Sequence, residues 1–351
     1  MSEETVESIN VKRLAILDEK GEVDISLMPD LSYDQIRKMY ELLVLARIFD
    51  ERALYMQREG RIGTYAPILG QEASQIGSVC ALEKSDWIFP SFRESGVLIA
   101  AGFPIHMVFQ YWAGDERGLM TPPDLNVFPI SIPVGTHIPH AAGAAFAAKY
   151  KGDRIAAVAY FGDGGTSKGD FHEGFNIAGV FKCPVVFICQ NNQWAISVPR
   201  GRQSASKTLA QKAYAYGFDG IQVDGNDIFA VYKATKDAAE KAKKGDGPTF
   251  IECFTYRMSH HTTADDATRY RKAEELETWK PRDPLLRLKL YMGKKGLWTE
   301  QYGTETEAKS RKAVDDAVKT AESMKPSAPA DMISYTAEEL SPRQKKELQE
   351  L

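Results

Sequence analysis

Two apolar runs constrain this chain more than anything else in its 351 residues: Ile155-Ala156-Ala157-Val158-Ala159-Tyr160-Phe161 and Pro184-Val185-Val186-Phe187-Ile188-Cys189. Both are short and apolar throughout, so both read as buried strands of a parallel sheet. Between them, Gly169 to Phe181 has helical spacing. The unit is therefore strand, glycine turn, helix, strand. Each strand runs into a polar motif, Gly162-Asp163-Gly164-Gly165-Thr166-Ser167 after the first and Gln190-Asn191-Asn192-Gln193-Trp194 after the second. Open α/β sheets bind their ligands at the carboxyl ends of such strands.

The chemistry of the pair is specific. Adjacent glycines after a strand let backbone N–H groups approach a phosphate at the N-terminus of the next helix. Asp163 sets a hard carboxylate oxygen beside that phosphate, Asn192 can add a side-chain carbonyl oxygen, and the backbone of the following turn can add another. Oxygen ligands completed by phosphate oxygens are how Mg²⁺ is usually held. The direct reading is a diphosphate-plus-magnesium site. A nucleotide-binding module would need a Walker loop or Gly-x-Gly-x-x-Gly, and residues 162–168 fit neither spacing.

Gly162-Asp163-Gly164 followed by Asn191-Asn192 resembles the thiamine diphosphate fingerprint. Further segments narrow the resemblance: Tyr65-Ala66-Pro67, Gly70-Gln71-Glu72-Ala73, Phe92-Arg93-Glu94, Gly169-Asp170-Phe171-His172-Glu173-Gly174 and His260-His261-Thr262-Thr263-Ala264-Asp265-Asp266. Together they are similar to the α subunit of the thiamine-dependent decarboxylating component of 2-oxo acid dehydrogenase complexes, a group that includes the pyruvate and branched-chain enzymes. The resemblance runs over roughly residues 20–345, with its motifs in order.

Composition agrees with a globular enzyme. With 43% hydrophobic and 26% charged residues the chain can build a full core, and a net charge of −4 gives no basic field for nucleic acid. No apolar run reaches the length of a membrane span. The opening Met1-Ser2-Glu3-Glu4 lacks the layout of a signal peptide. Cys80, Cys183, Cys189 and Cys253 show no metal-site spacing and read as buried free thiols. The expected location is the cytoplasm.

The expected fold is α/β, a doubly wound parallel sheet with an N-terminal arm (1–31), a thiamine diphosphate-binding domain (32–280) and a helical C-terminal tail (281–351). Ser32 is placed to cap a long amphipathic helix that Gly60 stops, and Gly70-Gln71-Glu72 opens a second. Strands are expected at 86–90, 221–225 and 249–254, and helices at 133–150, from Asp227 to about Lys243, and at 305–324, with Gly296-Leu297-Trp298 a further helical candidate.

The resemblance also implies roles for residues. Asp163, Asn192 and the backbone carbonyl of Trp194 match the metal ligands, and Gly164 and Gly165 match backbone donors to the diphosphate. Arg93 matches a diphosphate partner, a role suited to a guanidinium that binds two oxygens at once. Phe92 stands where many relatives have tyrosine, so one phosphate bond is missing; Gln190 lies at a variable phosphate-facing position. Ile132 and Val134 match residues whose backbone holds the aminopyrimidine ring. His261 matches the catalytic residue that touches the diphosphate and faces the reacting centre, with His260 a lesser candidate. Asp170 and Glu173 read either as a solvated helix face or, as in relatives, as the lining of an acidic tunnel between paired sites. The regulatory phosphoserines of animal relatives fall on Thr262 and Arg269, so control of that type is not expected.

The family's cofactor-activating glutamate comes from a separate β subunit, and no second complete thiamine half follows residue 275. The chain is therefore expected to work as α₂β₂, passing an acyl group to a lipoylated acyltransferase core protein. Its 65–67 and 70–75 segments resemble bacterial pyruvate enzymes and its 260–266 loop branched-chain enzymes. An acetoin dehydrogenase α subunit and a non-catalytic diphosphate-binding paralogue are the alternatives.

Overall fold

The structure, a computed structural model, describes residues 3–351. Along the chain lie β1 (Lys12–Leu14), α1 (Tyr33–Arg58), α2 (Glu72–Val79), β2 (Trp87–Phe89), α3 (Ser95–Ala100), α4 (Ile105–Trp112), α5 (His137–Lys151), β3 (Ala157–Gly162), α6 (Gly169–Val180) and β4 (Val185–Asn191). A two-strand hairpin follows, β5 (Trp194–Ala195) with β6 (Val198–Pro199), and then α7 (Arg200–Gln203), β7 (Asp219–Asp224), α8 (Ile228–Lys243), β8 (Thr249–Phe254), α9 (Ala273–Trp279), α10 (Pro284–Lys294) and α11 (Glu300–Ser323). Two further helices, Asp331–Ser334 and Pro342–Glu350, close the chain.

Six strands form one sheet in the order β1-β7-β8-β4-β3-β2, and every neighbouring pair is parallel. Its strands are apolar on both faces because both faces are covered. Val158, Tyr160, Val186, Ile188 and Ile251 enter one core with α1, α2, α8, α10 and α11. Ala157, Ala159, Phe161, Val185, Phe187 and Phe250 enter the other, with Phe171 and Phe175 of α6. Alternate residues of one run thus feed opposite cores, as strand geometry requires.

Register places the site. Gly162 lies opposite Gln190, and Asn191 opposite Phe254, so β3, β4 and β8 finish level and their following loops share one edge.

Several elements run past the sequence reading. The arm supplies β1, which lengthens the sheet beside β7, and its Ile16 and Leu17 are core residues. The helix expected from residue 133 starts at His137, and the one expected from 305 starts at Glu300, where Thr299 caps it. Gly296-Leu297-Trp298 is the link between α10 and α11, with Gly296 at φ +68°. Helices α3 and α4 had no counterpart in the periodicity. No helix among the described residues is long and apolar enough to cross a membrane.

Candidate active site

Where β3 ends, Asp163–Ser167 makes one tight helical turn before α6. A Cβ on Gly164 would stand 3.0 Å from Cβ of Ala195, so the glycine lets this turn close on the hairpin that follows β4. Asp163 is 1% exposed, and Oδ2 of its carboxylate has no hydrogen-bond partner among the described residues. Burial pushes its pKa up to about 6. An unsatisfied buried carboxylate oxygen is costly unless something cationic meets it.

Asn192 stands beside it with its amide fixed. Nδ2 donates to Oε1 of Gln71 (2.9 Å), and Oδ1 accepts the N–H of Trp194 at 3.3 Å. The Trp194 carbonyl, expected on a metal, accepts from Nη1 of Arg257 at 3.1 Å. No group of three or more His, Cys, Asp or Glu able to hold a metal occurs among the described residues. A cation here would need mixed protein oxygens together with oxygens of its ligand.

Arg93 comes from the stretch between β2 and α3 and is buried. Its Nη1 donates to the Pro67 carbonyl (2.8 Å), and Nη2 to Nδ1 (3.0 Å) and the carbonyl (2.8 Å) of His261. Nη1 of Arg257 approaches the same Nδ1 at 3.3 Å. A guanidinium can only donate, so Nδ1 is an acceptor and the imidazole proton sits on Nε2. Burial and the two arginines push the His261 pKa down to about 3, leaving a neutral ring. Burial likewise lowers the Arg93 pKa, to about 10, and the group stays cationic near neutrality.

Asp265 accepts the backbone N–H of His261 (2.8 Å) and the hydroxyl of Tyr270, which also receives Nη2 of Arg257 (2.8 Å). Asp266 caps a short helical turn at Ala267–Arg269. The two-histidine loop is thus ordered by hydrogen bonds that Asp265 and Asp266 accept, and Arg269 makes no ion pair among the described residues. His260 turns away to accept the Ala267 N–H at 2.9 Å.

These groups surround one cavity of about 720 Å³, lined by Phe92, Arg93, Ile132, Val134, Asp163, Gly164, Gly165, Gln190, Asn192, Trp194 and His261. Phe92 meets the His261 ring edge-on at 5.9 Å. Ile132 and Val134 are 52% and 41% exposed and form the lip. Asp170, half-buried, and Glu173, exposed, lie on α6 outside the lining.

The sequence reading gave no role to Arg257, Glu94 or Trp112. Arg257 is fully buried, and its position four residues before His261 was the available signal. Glu94 lines the cavity, accepting Nε2 of Gln190 at 2.5 Å, and burial pushes it up to about 7. Gln190 in turn accepts Nε2 of Gln75 at 3.0 Å.

A parallel sheet with an arginine-lined cavity over its strand ends, and an unpaired carboxylate beside a glycine turn, defines a doubly wound α/β protein suited to an anionic ligand with a cation. Residues 40–330 match the model of the family described as "Dehydrogenase E1 component". The chain is 45% identical over 309 residues to the pyruvate dehydrogenase E1 component subunit alpha of Staphylococcus aureus, covering 88% of this chain and 84% of that one. The Bacillus subtilis protein of the same name is 44% identical over 309 residues (88% and 83% covered), and that of Staphylococcus epidermidis 42% over 327 (93% and 88%). The chain belongs to the dehydrogenase E1 component family, as an α subunit of the 2-oxo acid dehydrogenase type. That family depends on thiamine diphosphate, and an α subunit works with partner chains.

Proposed function

We propose that this α subunit binds the diphosphate of thiamine diphosphate through Mg²⁺ in the cavity over β3 and β4, and acts in oxidative decarboxylation of pyruvate or a branched-chain 2-oxo acid. The observation that carries this reading is the unpartnered Oδ2 of buried Asp163, set between a glycine turn and the fixed amide of Asn192. Asp163, Asn192 and the Trp194 carbonyl would hold the ion, for which Arg257 would give up its bond to that carbonyl. The N–H groups of Gly164 and Gly165, with Arg93 and the Nε2–H of His261, would face the diphosphate, and Gln190 would line that end. The backbone at Ile132 and Val134 would meet the pyrimidine. The bound cofactor supplies the nucleophilic carbon and accepts the electrons left by departing CO₂. The protein's part is to orient it, to donate a hydrogen bond from neutral His261, and to keep water out.

The only acids lining the cavity among the described residues are Glu94 and Asp163, and both lie buried beneath it. The exposed apolar lip of Ile132 and Val134 fits a covering chain. A β subunit supplying the activating glutamate, in an α₂β₂ assembly, meets both needs, with Asp170 and Glu173 turned toward a paired site. The acyl group would pass to a lipoylated core protein. Four free cysteines suit a reducing cytoplasm.

The test is 2-oxo acid-dependent reduction of an artificial acceptor by the chain alone and with its β subunit, given thiamine diphosphate and Mg²⁺. Activity in the mixture only is expected. Full activity of the chain alone would overturn the half-site argument.

A further inference from the structure

One wall of the cavity has no part in holding a diphosphate. Thr64, Ala66 and Thr262 line it, together with Trp112 at the C-terminal end of α4. Trp112 is held firmly. Its carbonyl accepts the N–H of Gly63 at 2.7 Å, and a Cβ on Gly63 would stand only 3.1 Å from that oxygen, so the approach suits a residue without a side chain. Its ring meets Tyr65 edge-on, 5.2 Å between centroids at 85°. Tyr65 is itself fixed by its hydroxyl bond to Asp50 (2.6 Å). Its backbone pairs with Thr263, two residues past His261 (2.9 and 3.0 Å). Tyr65 therefore joins the indole wall to the His261 loop.

The indole ring is only partly buried and lines the cavity, while its Nε1–H is closed off from it. Indole fills more space than any other side chain, so this wall limits what fits beside it. We infer that Trp112 determines substrate specificity: its ring bounds the space for the acyl chain of the 2-oxo acid. This inference rests on the proposed function and adds to it a preference for the short acyl chain.

Bulk is what the test reads. In the reconstituted complex, Trp112→Ala should raise kcat/KM for 3-methyl-2-oxobutanoate relative to pyruvate tenfold or more, since each methylene of fit is worth roughly 10- to 200-fold. Trp112→Phe keeps most of the bulk. It should leave the ratio for the two acids within about threefold of the parent. Thermal stabilisation of each variant by thiamine diphosphate and Mg²⁺ should match the parent, because neither change touches the diphosphate end. A substrate ratio within twofold of the parent in Trp112→Ala overturns the inference while the functional reading stands. A parent complex inactive on every 2-oxo acid overturns that reading, and the inference with it.

Discussion

His261 faces two guanidinium groups with one nitrogen, and that settles its tautomer before any ligand arrives. Its pKa is depressed to about 3, so the ring loses no proton between pH 5 and 8. ¹⁵N-labelled histidine spectra should show His261 Nδ1 as an unprotonated, acceptor-type nitrogen throughout that range. A titration midpoint near 6.5 would contradict the geometry. Asp163 carries the opposite sign. Its folded pKa is raised from 3.8 to about 6, so the free chain loses stability as pH rises through that window. Asp163→Asn should raise stability of the ligand-free chain at pH 8 by about 1–3 kcal/mol. The same change should weaken Mg²⁺-dependent cofactor binding at least tenfold, as read by calorimetry. The glycines, Asp163 and Asn192 were legible because their local order carries the chemistry. Arg257 was not, because its meaning lies in the Trp194 carbonyl, 63 positions away.

Among the elements, those with a polar face announced themselves. Helix α1 starts where Ser32 and Gln35 form a reciprocal capping box, and Gly60 at φ +72° follows its end. Helix α3 was silent because Ser95 to Ile99 are all buried and show no period. Three-residue β1 is too short to announce itself, and its partner is remote. Behind β1 the arm is held by Arg287, which donates to the Leu17 carbonyl (3.3 Å) and to Glu19 (2.9 Å), and by a buried carboxylate. Asp227 caps α8 through the N–H groups of Phe229 (3.0 Å) and Ala230 (3.1 Å), and also takes those of Ile16 (2.5 Å) and Leu17 (2.7 Å). Asp227→Ala should cost about 2–4 kcal/mol in denaturant unfolding, since it removes a helix cap and strands two buried donors. Protease should then cut the arm before the rest of the chain. An arm cleaved at the parental rate would mean that β1 and the Arg287 contacts hold it without Asp227.

At the scale of the molecule, the outer face of α5 and α6 is apolar and open. Phe146, Tyr150, Ile177, Val180 and Phe181 are all exposed, and the rings of Phe146 and Phe181 pack 5.0 Å apart. A contiguous apolar face of this kind marks an association surface. Tyr150→Glu, at a site 88% exposed, should leave unfolding of the isolated chain within about 0.5 kcal/mol of the parent. Light scattering should show assembly with the β subunit weakened or lost. Unchanged assembly would place the interface elsewhere.

The pairing of β1 with β7 also sets a timetable for synthesis. Ile16 waits for a carboxylate 211 positions further along the chain. At typical elongation rates of about 5–20 residues per second, that is roughly 10–40 s after the arm leaves the ribosome. Throughout that interval the edge of β7 does not exist, and Ile16 and Leu17 have no core to enter. Residues 12–17 are thus made well before their partners, and the nascent chain carries an unpaired strand until β7 and α8 emerge.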